Sequence, residues 1–255
     1  MTLPTRRSLI TGAVAVAVGQ ALAAPVMASV PPIIKLPGDV QTGEAATVMA
    51  VRTVTPAVAL TFDDGPHPRL TPKLLDMLKA RGMRATFYVI GDRVLRHPAL
   101  VQRMLAEGHE VGNHSWTHPV LANLGDRSVI REMDDTTRAI YSVTGKVPVT
   151  MRPPYGALTF RQRHMLYHQR RLPTILWSVD PQDWRRPGAQ VVARRMLAGV
   201  KPGAILLAHD IHAPTIQAMP TVLDGVQARG YKAVTVSELL GWPKWQTRNF
   251  VLRSG

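Results

Sequence analysis

The stretch AVALTFDDGPHP, residues 57–68, opens with six residues of apolar or β-branched character and then turns abruptly polar. A continuous apolar run of this length reads as a strand covered on both faces, the kind found in parallel sheets flanked by helices. It ends in two adjacent carboxylates, Asp63 and Asp64, followed by Gly65-Pro66. Successive side chains of a strand point to opposite faces, so the two aspartates can share a pocket only if the chain turns between them. Gly-Pro supplies a turn. Two carboxylates buried together are costly unless a cation or strong donors compensate them.

Outward from this strand the same unit recurs. Helical periodicity covers about 72–81, and strands are predicted at 85–90 (ATFYVI), 109–113 (HEVGN), 147–151, 174–179 (TILWSV), 204–209 (AILLAH) and 232–236 (KAVTV). Helices are predicted between them at 98–107, 127–143, 159–171, 189–199 and 215–229, with Gly82, Gly108 and Gly230 as left-handed helix ends. Counting 57–62 as the first, this makes about seven β–α units. The fold class is therefore α/β, and such repeats can curl into a barrel or stay an open sheet. Reactive residue types track the C-terminal strand ends: Asp63-Asp64, Asn113-His114, Arg152, Asp180 and His209. That edge is where parallel β–α folds assemble their active sites.

The flanks read differently. Residues 1–28 carry Arg6-Arg7 ahead of an uncharged Ala/Val/Gly run and small residues near Ala23 and Ala28, the pattern of a signal peptide with a twin-arginine character. Export to the periplasm or exterior is the expected localisation. The apolar run falls short of the ~20 residues that span a bilayer, so no integral membrane span is expected in the mature chain. Residues 29–55 read as a linker or extended arm, 56–243 as the catalytic domain and 244–255 as a tail. The 255 residues carry a net charge of +14, and removal of the first 28 would leave +12. Lys and Arg are scattered rather than gathered in a stripe with aromatics, which argues against nucleic acid as a partner. With no cysteine, disulfides, thiolate metal sites and a cysteine nucleophile are excluded.

His114 and His118 stand four residues apart, a spacing that puts two imidazoles on one side of a helical turn. With one aspartate they make a two-His, one-carboxylate set that leaves coordination positions open, as a catalytic metal site requires. Zinc suits these ligand types best, and cobalt, nickel, manganese and iron suit them too.

Taken in order, TFDDGPHP (61–68), NHSWTH (113–118), RPPYG (152–156), WSVDPQDW (177–184) and ILLAHD (205–210) closely resemble the polysaccharide deacetylase family, also called the NodB-homology domain, over about residues 57–240. The resemblance implies a distorted (β/α) barrel with a metal held by Asp64, His114 and His118. It further implies Asp63 as general base, Arg152 as the arginine that contacts it, and the Tyr155 backbone N–H as an oxyanion donor. His209 matches the general acid and Asp183 the carboxylate that orients it, while Trp184 and Leu207 resemble residues lining the pocket against the acetyl methyl. The implied reaction is removal of acetyl groups from N-acetylglucosamine units of an extracytoplasmic polysaccharide, peptidoglycan or chitin-like.

Three other functions bear on the same residues. An O-deacetylase such as an acetylxylan esterase would use the same site. A mononuclear iron oxygenase shares the ligand set but has no use for a base and acid pair. A non-hydrolytic glycan-binding relative would have lost the catalytic set, which is intact here. Among neighbouring residues, His212 competes with His209 as acid, Asp180 reads as a loop-fixing aspartate, and Trp116 reads equally as a sugar platform or as packing. His67, His97, His109, His164 and His168 match no catalytic position, and Trp242 and Trp245 carry no motif.

Overall fold

The computed structural model describes Met1 and residues 47–246; the signal-peptide reading, most of the arm and residues 247–255 of the tail lie outside the described residues. The described chain runs β1 (Thr47–Val48), β2 (Ala57–Asp63), α1 (Thr71–Ala80), β3 (Thr86–Val89), α2 (Gly91–Arg96), α3 (Pro98–Ala106) and β4 (Glu110–Asn113). It continues with α4 (Asp126–Thr144), α5 (Phe160–Arg170), β5 (Thr174–Ile175), α6 (Ala189–Ala198), β6 (Ile205–His209), α7 (Ala213–Ala228), β7 (Lys232–Val234) and α8 (Val236–Leu240).

Every residue of β2 is buried, as its unbroken apolar run requires. The strand pairs in parallel with β3 over Thr61–Asp63, with β6 over Ala59–Asp63 and with β7 over Ala57–Ala59. β4 pairs in parallel with β3, and β1 with β5. Closure comes from isolated parallel bridges: Met151 joins Asn113 to Thr174, and Val179 joins Leu206. The result is a distorted barrel in which one wall is made of bridges rather than of a continuous ladder. Helices cover the outside through leucine-rich faces, such as Leu74, Leu75 and Leu78 of α1, which pack with Leu60, Phe62 and Phe87 in the main core.

Three differences from the expected elements have physical causes. The strand expected at 147–151 is reduced to bridges at Pro148 and Met151, and that at 174–179 to two residues and a bridge at Val179. The Arg152 side chain takes the Ile175 and Leu176 carbonyls as acceptors, so these are engaged by a guanidinium. Second, Thr47–Val48, within the predicted arm, pairs with β5, and Val51 N–H donates to the Gly203 carbonyl at 2.9 Å. A two-residue strand carries too few alternations to show in sequence. Third, α2 and α8 went unread because each is a single short turn or two. In the tail, Trp245 bridges Pro148, and Trp242 and Trp245 pack against the core clusters.

Glu110, at the opposite end of the barrel from the reactive strand ends, is fully buried yet satisfied. Its carboxylate accepts from Thr86, Thr150 and Ser237 hydroxyls and from the Ser237 N–H, which fastens α8 to the barrel floor. Among the described residues no helix is long and apolar enough to cross a membrane.

Gly112 in β4 lies flat against the fully buried Tyr88 ring, and a Cβ there would fall inside the ring's van der Waals shell. Gly112→Ala is expected to lower stability by about 1–3 kcal/mol through overpacking, measurable as a fall in the urea midpoint at unchanged slope.

Candidate active site

Asp63 is the last residue of β2, and Asp64 breaks away from it with φ of +72° before a cis Gly65-Pro66 peptide. That left-handed step is what allows adjacent carboxylates to face one cavity. Such backbone costs a non-glycine residue roughly 1–2 kcal/mol, least for Asp and Asn, and it recurs at Ser115 (+66°), His118 (+65°) and Tyr155 (+59°). Left-handed positions gathered in one place point to a functional site. Asp64 is held from two sides. Arg93 Nη1 donates to its carbonyl at 2.9 Å, and the following Gly65 lies so close to the Asp210 carboxylate that no Cβ would fit. Asp210 is fully buried, accepts from the Thr71 hydroxyl, and is pushed up to about 7 by burial, with the charge of Asp64 adding to the effect.

His114 and His118 meet without a helix, contrary to the helical-turn expectation. His114 follows β4, and the left-handed residues Ser115 and His118 fold the chain back so that the two rings stand 5.0 Å apart. The loop is anchored by Glu132 of α4, which accepts from the Trp116 and Thr117 N–H groups at 2.7 and 2.9 Å. His114 Nδ1 lies 2.7 Å from the Arg152 carbonyl. A carbonyl only accepts, so Nδ1 carries the proton and Nε2 presents its lone pair.

Nε2 of His114 and of His118 lie 3.3 and 3.1 Å from Asp64 Oδ1. That oxygen is buried and makes no hydrogen bond. Ligand atoms of the three residues lie within 4.8 Å of one another. Two ligands about 2.0–2.1 Å from a tetrahedral ion stand about 3.3–3.4 Å apart, so this donor set fits a small divalent cation. Burial alone would raise the Asp64 carboxyl, but the two imidazoles hold it far below the usual carboxylate range.

Behind Asp63 sits Arg152, fully buried. Its Nη1 donates to Asp63 Oδ1 and to Thr61 Oγ1, both at 2.7 Å, while Nε and Nη2 donate to the Ile175 and Leu176 carbonyls at 3.1 and 3.0 Å. The guanidinium also lies over the ring of Tyr88, 4.4 Å from its centroid, and 5.6 Å from that of Trp177. Asp63 Oδ2 is left facing His114 Nε2 at 3.8 Å.

His209 ends β6 in register with Asp63. Asp183, fully buried in a short 3₁₀ turn, accepts from His209 Nδ1 and from the His209 backbone N–H, each at 2.8 Å, and from the Thr215 hydroxyl at 2.7 Å. Burial opposes protonation of His209, but Asp183 outweighs it and raises the imidazole to about 9. His212 sits 5.8 Å away, ring to ring, and burial holds it below the usual histidine range.

These groups face a cavity of about 360 Å³ lined by Asp63, Asp64, His114, His118, Tyr155, Trp184, Leu207 and His209, together with Pro153, Trp177 and Asp180. Arg152 and Asp183 stand behind their partners. The structure thus brings together all ten residues singled out by sequence. Asp180 Oδ1 accepts from the Gln182 N–H at 2.7 Å, the loop-fixing bond expected of it. Trp116 lies outside the cavity lining and packs against Gly91 and the core. Sequence reasoning missed Tyr88, Trp177 and Asp210. The Tyr155 ring, to which the backbone N–H reading gives no part, meets His118 edge-on at 4.7 Å. Asp210 stands beside His209 in ILLAHD, a charge at the end of a buried strand, which was the available signal.

Residues 50–172 match the sequence model of the family described as polysaccharide deacetylase. The peptidoglycan-N-acetylglucosamine deacetylase PgdA of Listeria monocytogenes is 45% identical over 184 residues, covering 72% of this chain and 39% of that protein. A chitooligosaccharide deacetylase of Bradyrhizobium sp. is 39% identical over 202 residues, covering 72% of this chain and 91% of that protein. The solved structure of the peptidoglycan deacetylase PdaC from Bacillus subtilis superposes with a TM-score of 0.69 at 38% identity, covering 72% of this chain and 90% of that one. The matched part of this chain spans about two fifths of the length of the first curated relatives.

The His209–Asp183 pair has a definite pH signature. The folded value of His209 lies above the ordinary 6.5, so its stabilisation is fully present below pH 6.5 and is lost as pH rises through about 9. The stability difference between the parent and Asp183→Asn should therefore shrink across that window in urea melts. NMR titration of His209 in the variant should show a midpoint moved down from about 9 toward 6.5.

Proposed function

Because the chain belongs to the polysaccharide deacetylase family, we propose that it hydrolyses the acetamide of N-acetylglucosamine units in an extracytoplasmic polysaccharide, peptidoglycan or a chitin-like chain. The observation that carries this reading is a base and an acid facing one cavity, each set by a buried partner. Asp63 is held by Arg152, and His209 is held protonated by Asp183.

Asp64, His114 and His118 are the residues that would hold a divalent cation. Zinc is the first choice on donor type, and cobalt, nickel, manganese and iron suit the same donors. Bound there, such an ion supplies Lewis-acid polarisation of the acetamide carbonyl and acidifies water.

The chain's own residues divide the remaining work. Asp63 Oδ2 accepts the proton of the attacking water, and Arg152, holding Oδ1, fixes the direction of that lone pair. His209 donates a proton to the departing nitrogen, which is a poor leaving group until protonated. Asp183 matters most here, because an imidazole raised to about 9 is still an acid at neutral pH. The left-handed turn at Tyr155 positions its backbone N–H as an oxyanion donor. Leu207, Trp184 and Trp177 give the cavity an apolar wall suited to an acetyl methyl.

An ester site needs less from its acid, since an alkoxide leaves more readily than an amide anion. The strongly supported imidazolium favours the amide over the O-acetyl ester. The reading places the protein outside the cytoplasm, in keeping with the signal-like residues 1–28.

Acetate release over chitooligosaccharides, peptidoglycan and acetylated xylan tests the proposal. Release from the N-acetylated chains that stops on chelation is expected, and Asp63→Asn should lower kcat/KM by about 10²–10⁴-fold. Release from acetylated xylan alone would replace the amide reading with the ester one. The alkaline limb of the pH profile should lie near 9 and move acidward in Asp183→Asn.

A further inference from the structure

The turn that carries Asp183 also carries an exposed edge that catalysis does not use. Asp183 is bolted to β6 and α7 by three hydrogen bonds, to the His209 backbone and ring and to Thr215. The residues that follow it, Trp184, Arg185 and Arg186, point into solvent, with Trp184 48% exposed. The backbone is further held by left-handed steps at Gln182 (+54°) and Arg186 (+55°). The turn thus presents three large exposed side chains in a row, the first of which lines the cavity.

One contact ties this edge to the cavity. The Arg185 guanidinium lies over the Trp184 ring at 4.7 Å, and Trp184 lines the cavity. Arg186 follows Arg185 directly and is exposed.

Among the described residues neither arginine has a carboxylate partner, whereas Arg103, Arg161 and Arg170 each have one. Asp180, the carboxylate of the cavity wall nearest in sequence, is engaged by the Gln182 N–H. A guanidinium stacked on a tryptophan of a sugar-sized cavity, with a second cation next to it in sequence, has nothing to pair with on a neutral glycan. Their geometry matches carboxylates, which a guanidinium grips through paired N–H bonds.

We propose that the Trp184–Arg185–Arg186 edge is an anion-reading subsite that binds carboxylates carried on sugars adjacent to the one losing its acetyl group. It rests on the deacetylase reading of the cavity. It selects a carboxylated amino-sugar chain over a neutral one, and the preference is electrostatic. The apolar face of Trp184 supports the sugar while the arginines read its substituents.

The test uses the full metal-loaded chain and two N-acetylated tetrasaccharides that differ only in charge. One carries lactyl carboxylates on alternate sugars, and in the other the same groups are capped as neutral amides. Binding by tryptophan quenching and acetate release are read in parallel. The carboxylated chain is expected to bind about three- to tenfold more tightly at low salt, the range for two exposed ion pairs. The ratio should fall toward one at about 0.5 M salt, where such pairs are screened. It should also fall toward one in R185Q/R186Q and shrink without vanishing in R185K/R186K, which keeps the charge but not the paired N–H fork. Equal binding of the two chains by the parent protein overturns the proposal, as does a ratio that R185Q/R186Q leaves intact. A charge preference in binding with no acetate released from either chain keeps the subsite and overturns the deacetylase reading instead.

Discussion

A guanidinium with no access to water has to be met on every side, and Arg152 is such a group. Leaving its charge unpaired would cost several kcal/mol. The surrounding structure answers with two backbone carbonyls, a threonine hydroxyl, the Asp63 carboxylate and the face of Tyr88. These partners come from three separate stretches, so satisfying Arg152 fixes β2, β3 and the segment after β5 relative to one another. Its own carbonyl then accepts from His114 and selects that ring's tautomer. One buried cation therefore sets both the direction of the Asp63 carboxylate and the free lone pair of His114.

The acid half of the cavity is built the opposite way. There the buried charge is a carboxylate, Asp183, and its partners draw the proton onto His209 rather than away from it. Arg152 holds one oxygen of Asp63 while Asp183 draws a proton onto His209, and under the proposed reading that pairing supplies the base and the acid that amide hydrolysis needs. Between the halves, Asp64 and the two histidines leave a buried oxygen with no hydrogen bond. A folded protein tolerates such an atom poorly unless a cation is meant to reach it. The left-handed residues at Asp64, Ser115, His118 and Tyr155 are the conformational cost of bringing so many polar groups to one wall.

Much of this was legible beforehand because it rests on local pattern. The AVALTF run could only be a strand covered on both faces, the amphipathic stretches fall within a few residues of α1, α3 to α7, and polar residues at strand ends marked the active edge. What escaped was short or non-local. The two-residue strand at Thr47–Val48 has no period to detect. The 147–151 segment has strand composition but forms only isolated bridges, at Pro148 and Met151. The His114–His118 spacing suggested a helix, since sequence spacing alone does not distinguish a helical turn from a left-handed loop that closes the same distance.

By itself, then, the sequence determined the repeating β–α order, the residues able to do acid, base and metal chemistry, and a cationic surface. Those follow from hydrophobic period and side-chain chemistry, which are properties of single segments. Only the tertiary structure decided that Tyr88 and Trp177 flank Arg152, that Asp210 packs under Gly65, and that Trp184, with Arg185 over its ring, lines the cavity. Each of these depends on which residues from distant segments share a volume. Burial and close packing set that choice, and no local pattern encodes it.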